Sequence, residues 1–184
     1  CPYGNGVACW SISDERYLGF IAASETYGLS RVADGSILAS QRDGTAQMYL
    51  YDLKTGQLKN KITSGVGPIT RIAKLDLATR TMWYEAVGKE KGQDPYFTHL
   101  YRIGLDGKNQ VSLTPDNGTH SSQISPDGKY VVDTVSQPDV APETTLRDGT
   151  TGALIMPLEK ADISKLLATG WKPPMQIKMT AADG

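Results

Sequence analysis

Long apolar runs, excess charge of one sign and cysteine are all scarce in this sequence. No stretch of the 184 residues holds the roughly 18 to 20 consecutive apolar side chains that a membrane-spanning helix needs. Nineteen Lys and Arg stand against twenty Asp and Glu, a formal net charge of −1. That balance argues against a nucleic-acid or anionic-membrane partner, which needs a basic patch. Two cysteines, Cys1 and Cys9, lie near one end. A bridge between them would staple almost no chain, and two incidental thiols are the plainer reading.

The motifs of common chemistries are also missing. No serine has glycine at both −2 and +2, as a nucleophile elbow requires; Ser30 follows Gly28 but precedes Val32. There is no Walker A sequence, no H-E-x-x-H, and no Cys/His spacing suited to zinc. "GNGVAC" near the start fails as G-x-G-x-x-G because it ends in Cys9. The two histidines, His99 at the start of a predicted strand and His120 beside a turn, have no nucleophile in a recognisable context. Surface or strand-packing roles are expected of both. No catalytic residue, metal ligand or cofactor site is therefore expected. The chain opens at Cys1 without a starting Met, so a fragment or processed piece is expected.

What is present is a regular supply of turns. Nineteen Gly and ten Pro are spread along the chain, with short β-type runs between them. The composition, 39% hydrophobic and 21% charged, is that of a soluble globular protein. Asp-Gly pairs at Asp34-Gly35, Asp43-Gly44, Asp106-Gly107, Asp127-Gly128 and Asp148-Gly149 tolerate the positive φ of tight turns. "YLYDLKTGQL" (49–58), "YRIGLDGKNQV" (101–111) and "TTLRDGTTGAL" (144–154) share one plan: strand, Asp, Gly-containing turn, strand. A second series precedes them: "DGSILASQRD" (34–43), "TRTMWYEAVG" (79–88) and "DGKYVVDTVS" (127–136). Two hairpins per unit at a spacing of about 40 to 55 residues are the pattern of propeller blades.

The faces of the strands agree. Met48 and Leu50 alternate with Tyr49 and Tyr51, and Val131 and Val135 with Tyr130 and Val132. Sheets with one wet face alternate apolar and polar residues, whereas blades covered on both sides need not. The fold class expected is all-β: about three four-stranded antiparallel blades of a β-propeller with one short C-terminal helix. Residues 1–28 are read as the remnant of a preceding blade or a connection. Residues 29–158 make three blades (29–63, 66–115, 118–158), and 159–184 a linker helix and a further strand. Ile163, Leu166 and Leu167, with Gly170 as a stop and Pro173-Pro174 beyond, mark the helix. A small self-contained β-sandwich fits the repeat spacing poorly.

"SILASQRDGTAQMYLYDLKTGQL", "DPYFTHLYRIGLDGKNQVSLTP", "GTHSSQISPDGKYVVDT" and "LEKADISKLLATGWKPPMQIKMTAADG" resemble the N-terminal β-propeller region of the dipeptidyl peptidase IV group, within the prolyl oligopeptidase family of serine peptidases, bacterial type. The resemblance covers about residues 29 to 184. It implies a propeller of eight blades capping a Ser-Asp-His α/β-hydrolase domain, with dipeptides removed from peptide N-termini in the periplasm or outside the cell. The propeller would control access. The last stretch looks like the junction to the hydrolase domain, so that domain would be the partner of this piece and peptides the substrates of the whole protein. Triad residues would lie beyond Gly184. Asp14-Glu15, the one adjacent acidic pair, reads as a solvated turn rather than the family's substrate-anchoring glutamates, and Arg31, near the place of a substrate-contacting arginine in some relatives, is not assigned that role. The "SPDGK" repeat is shared with TolB-like propellers, which leaves a periplasmic protein-binding module as the alternative.

Four further features have plain readings. Asn117-Gly118-Thr119 is a turn that happens to match a glycosylation sequon. Trp10 and Trp83 are blade packing, and Trp171 is a weak candidate for a ligand platform. "KEKGQD" (89–94) is a solvated loop. Three blades cut from a ring would leave apolar end faces uncovered, so self-association of the piece is expected.

Overall fold

The computed structural model describes residues 26–32, 35–52, 54–175, 177, 179, 180 and 182. The strands expected at "VACWSI" and "YLGFIAA", together with Cys1, Cys9, Trp10 and Asp14-Glu15, lie outside the described residues. Three antiparallel sheets of four strands follow one another along the chain. The first holds β1 (Thr26–Val32), β2 (Gly35–Ser40), β3 (Gln47–Tyr51) and β4 (Leu58–Lys61). The second holds β5 (Ile69–Asp76), β6 (Thr81–Val87), β7 (Thr98–Gly104) and β8 (Val111–Ser112). The third holds β9 (Thr119–Ile124), β10 (Tyr130–Gln137), β11 (Val140–Asp148) and β12 (Leu154–Lys160). Each strand pairs with the next, so each sheet is a meander of hairpins. These are propeller blades, followed by one short helix, α1 (Ser164–Ala168). The described residues after α1 carry no strand.

The sheets pack face to face. From the first sheet come the cross-strand pairs Ile37–Leu50 and Ala39–Met48. They meet Met82–Ile103 and Tyr84–Tyr101 of the second, and all eight side chains are buried in one apolar cluster. Tyr84 and Tyr101 stack at 5.4 Å between ring centroids. On the opposite side of the second sheet, Trp83, Leu100 and Leu113 bury themselves against Val131 of the third. Successive residues of β6, Thr81 to Tyr84, are all buried because both sides of that sheet are covered. The outward face of the third sheet differs: Tyr130 is 48% exposed and Val132 39%.

Turn chemistry sets the sheet edges. In the Ser125–Gly128 turn, Ser125 Oγ donates to Asp127 Oδ1 at 2.7 Å, and Gly128 N–H donates to the Ser125 carbonyl at 2.9 Å. Gly128 has φ 74°, and a Cβ there would sit 3.0 Å from Trp83 Cζ2. Trp83 Nε1–H also donates to the Gly149 carbonyl at 3.2 Å. The glycine is thus needed twice, for its left-handed backbone and for the approach of a tryptophan from the neighbouring sheet. At Asp148-Gly149 the left-handed residue is Gly152 instead, with φ 76°. Asp148 there accepts from the backbone N–H groups of Thr150 and Thr151.

Candidate functional site

His99 and His120 are both buried, at the seam between the second and third sheets. Their rings lie 4.9 Å apart, tilted by 45°. His120, the second residue of β9, presents Nδ1 to Asp133 Oδ2 at 2.8 Å and Nε2 to the Asp116 carbonyl at 2.9 Å. Asp133 on β10 is fully buried. It also accepts from Ser122 Oγ at 2.9 Å and lies 3.3 Å from Arg147 Nε. Arg147 on β11 is 5% exposed, pairs with Asp116 and donates from Nη1 to the Gly152 carbonyl at 3.2 Å. Among the described residues, no serine hydroxyl is hydrogen-bonded to either histidine. The cluster's evident task is packing, with charge compensated by charge.

The two ends of the sheets differ in character. At one end the turns satisfy themselves. Asp52 caps Lys54 and Thr55, Asp76 caps Ala78 and Thr79, and Asp127 caps Lys129. These hydrogen bonds hold the carboxyls of Asp52, Asp76, Asp127 and Asp148 below the usual carboxylate range. The largest cause is a backbone N–H of Thr55 for Asp52 and of Thr151 for Asp148, and the hydroxyl of Thr79 or Ser125 for the other two.

At the other end most connections are longer, the two-residue turn at 138–139 between β10 and β11 excepted, and they lean on one another. Gln47 Nε2 donates to the carbonyl of Gly67 at 3.1 Å, and Lys89 Nζ to that of Ser64 at 2.8 Å. Gln93 Nε2 reaches Pro115 at 3.0 Å, and Gln137 Nε2 reaches Asn117 at 2.9 Å. The loop at 89–94 is therefore not simply solvated. Glu90 is half-buried and accepts from Tyr101 OH at 2.8 Å and Ser112 Oγ at 3.0 Å. Burial holds the Lys89 ammonium below the ordinary lysine value, although Glu90 opposes the effect. This long-loop rim carries Val66, 73% exposed, and Tyr96, 85% exposed. It also holds a concavity of about 420 Å³ lined by Asp94, Phe97, Asn117, Pro138 and Met175 among others. The segment beyond α1 thus reaches the same rim.

Of the other residues singled out in the sequence, Ser30 and Arg31 lie in β1. Trp83 is 4% exposed and is a packing residue, while Trp171 is 37% exposed beyond α1. The polar seam itself escaped sequence reasoning, because His120, Asp133 and Arg147 come together only when three strands align.

Residues 5–142 match the family described as dipeptidyl peptidase IV (DPP IV) N-terminal region. The chain belongs to that family. Its members are serine dipeptidyl peptidases, and this region is their non-catalytic propeller. The chain is similar to dipeptidyl peptidase 4 of Porphyromonas gingivalis, with 26% identity and a TM-score of 0.60, over 77% of this chain and 19% of that one. It is similar in fold to a protein assigned as a dipeptidyl aminopeptidase IV of Bacteroides ovatus, with 16% identity and a TM-score of 0.64, over 84% of this chain and 25% of that one. TolB of Acinetobacter baumannii shares the fold at 18% identity and a TM-score of 0.52, over 86% of this chain and 39% of that one. The chain thus spans a fifth to a quarter of the two peptidase structures.

Proposed function

We propose that this chain is the propeller portion of a dipeptidyl-peptidase-IV-like serine exopeptidase, and that it scaffolds and gates peptide access to a C-terminal α/β-hydrolase domain. The observation that carries this reading is the family match over residues 5–142. The long-loop rim is the face turned to that domain. It holds exposed apolar side chains at Val66 and Tyr96 and a concavity beside Phe97, and the segment after α1 lies against it. The outward row Tyr130, Val132 and Met156, each more than a third exposed, is the surface a further blade would cover. The piece alone self-associates through it, and a stable dilute monomer in light scattering would count against this.

The test is the full-length protein. It is expected to release dipeptides from a peptide with a free amino terminus and to spare the N-acetylated peptide. Absence of any such release would overturn the reading. The likeness to TolB favours a second reading, a protein-binding propeller without chemistry. Such a protein would release no dipeptide from either peptide.

A further inference from the structure

We propose that His99 makes the seam between the second and third sheets acid-sensitive: a proton arriving at Nε2 places a buried charged donor beside the His120 ring with no acceptor to take it, and β9 loosens from β7. The inference is independent of the proposed function.

The two strands are clasped at their starts. Thr98 N–H donates to Thr119 Oγ1 at 3.3 Å, and the rings of the next residues, His99 and His120, lie 4.9 Å apart, tilted by 45°. His99 is 1% exposed. Its Nδ1–H donates to the Thr114 carbonyl at 2.6 Å, which leaves the lone pair on Nε2, and Nε2 is buried without a partner. The neutral ring therefore leaves only an unpaired acceptor at Nε2, whereas the protonated ring would leave an unpaired charged donor, the costlier of the two.

Every charged group facing His99 is already engaged. Both nitrogens of His120 lie against oxygen atoms, the Asp133 carboxylate and the Asp116 carbonyl. Asp133 serves His120, Ser122 and Arg147. Arg147 in turn holds Asp116. Glu90, from the loop between β6 and β7, serves Tyr101 and Ser112. No acceptor of any of them lies within hydrogen-bond distance of His99 Nε2.

Burial, foremost, holds His99 below the ordinary histidine value. His120 adds to this, and the Thr114 carbonyl and the Glu90 and Asp133 carboxylates oppose it. The sign follows. The unfolded chain binds this proton near pH ~6.5 while the folded chain refuses it, so the seam loses stability as pH falls below that value.

Hydrogen exchange on the full-length protein at about pH 7.5 and about pH 5, corrected for intrinsic rates, tests this. Amides of β9 are expected to lose about tenfold or more in protection at the lower pH. Amides of β3, in the apolar seam, hold theirs. In His99→Gln the β9 change falls within about threefold. Equal β9 protection at both pH values, or a full pH effect surviving in His99→Gln, overturns the proposal. If that variant does not fold, imidazole NMR of the unsubstituted protein decides. His99 staying neutral below about pH 6 supports the proposal, and titration at or above the ordinary value of about 6.5 overturns it.

Discussion

Two seams join the three sheets: one is apolar throughout its buried cluster, and the other sets a buried charged group beside its apolar one. Where the first sheet meets the second, the rows Met82–Ile103 and Tyr84–Tyr101 face apolar partners. The corresponding rows of the third sheet, facing the second, are Val131–Arg147 and Asp133–Thr145. An arginine stands where an isoleucine does the same work, and an aspartate where a tyrosine does. The contrast separates two kinds of packing. The apolar seam is held by area removed from water and tolerates side chains of similar volume. The polar seam is held by mutual compensation, and removing one member strands the others.

The sharpest break is therefore Asp133→Ala, which leaves Arg147 and His120 without their shared carboxylate. A loss of about 3 to 5 kcal/mol is expected in urea unfolding of the full-length protein. Replacing Asp133, Arg147 and His120 together by apolar side chains should recover most of it. A loss below about 1 kcal/mol for the single change would mean that the seam is wetter than its burial implies.

Gly128→Ala comes next. It forces a side chain into a left-handed residue beside Trp83, at a cost of about 1 to 3 kcal/mol in the same measurement. Glycine at 128 would be dispensable if the loss were near zero.

The smallest effect is at the self-capped turns. The carboxyls of Asp52, Asp76, Asp127 and Asp148 are held below their ordinary value. Their contribution is complete above about pH 4 and fades as pH falls through the lowered folded values. Thermal melts between about pH 5 and pH 3 should show this in the native protein and less of it in Asp148→Asn.

Much of the fold is legible because its signals are local. The repeated strand–Asp–turn–strand plan and the two-sided apolar strands lead directly to face-to-face blades. β1 is harder to read, since "TYGLSRV" interrupts its apolar residues with Gly28, Ser30 and Arg31, and pairing with β2 makes it a strand. The charged seam is harder still. In "KYVVDTV" Asp133 looks like a solvated interruption, yet it shares a face with Val131 and Val135 and is fully buried. Its partners come from β9 and β11, so only the strand register discloses that the charge is matched. The half-buried Glu90 is hidden for a similar reason: its partners Tyr101 and Ser112 lie on strands later in the chain.

The central claim is that the long-loop rim, not the rim of self-capped turns, is the working face of this propeller. Lysine cross-linking of the full-length protein followed by mass spectrometry tests it most directly, because exposed lysines mark both rims: Lys91 on the first, Lys54, Lys108 and Lys129 on the second. The account predicts cross-links from Lys91 to residues of the proposed hydrolase domain and none from the other three. Cross-links from Lys54, Lys108 or Lys129 to that domain, with Lys91 silent, would contradict it.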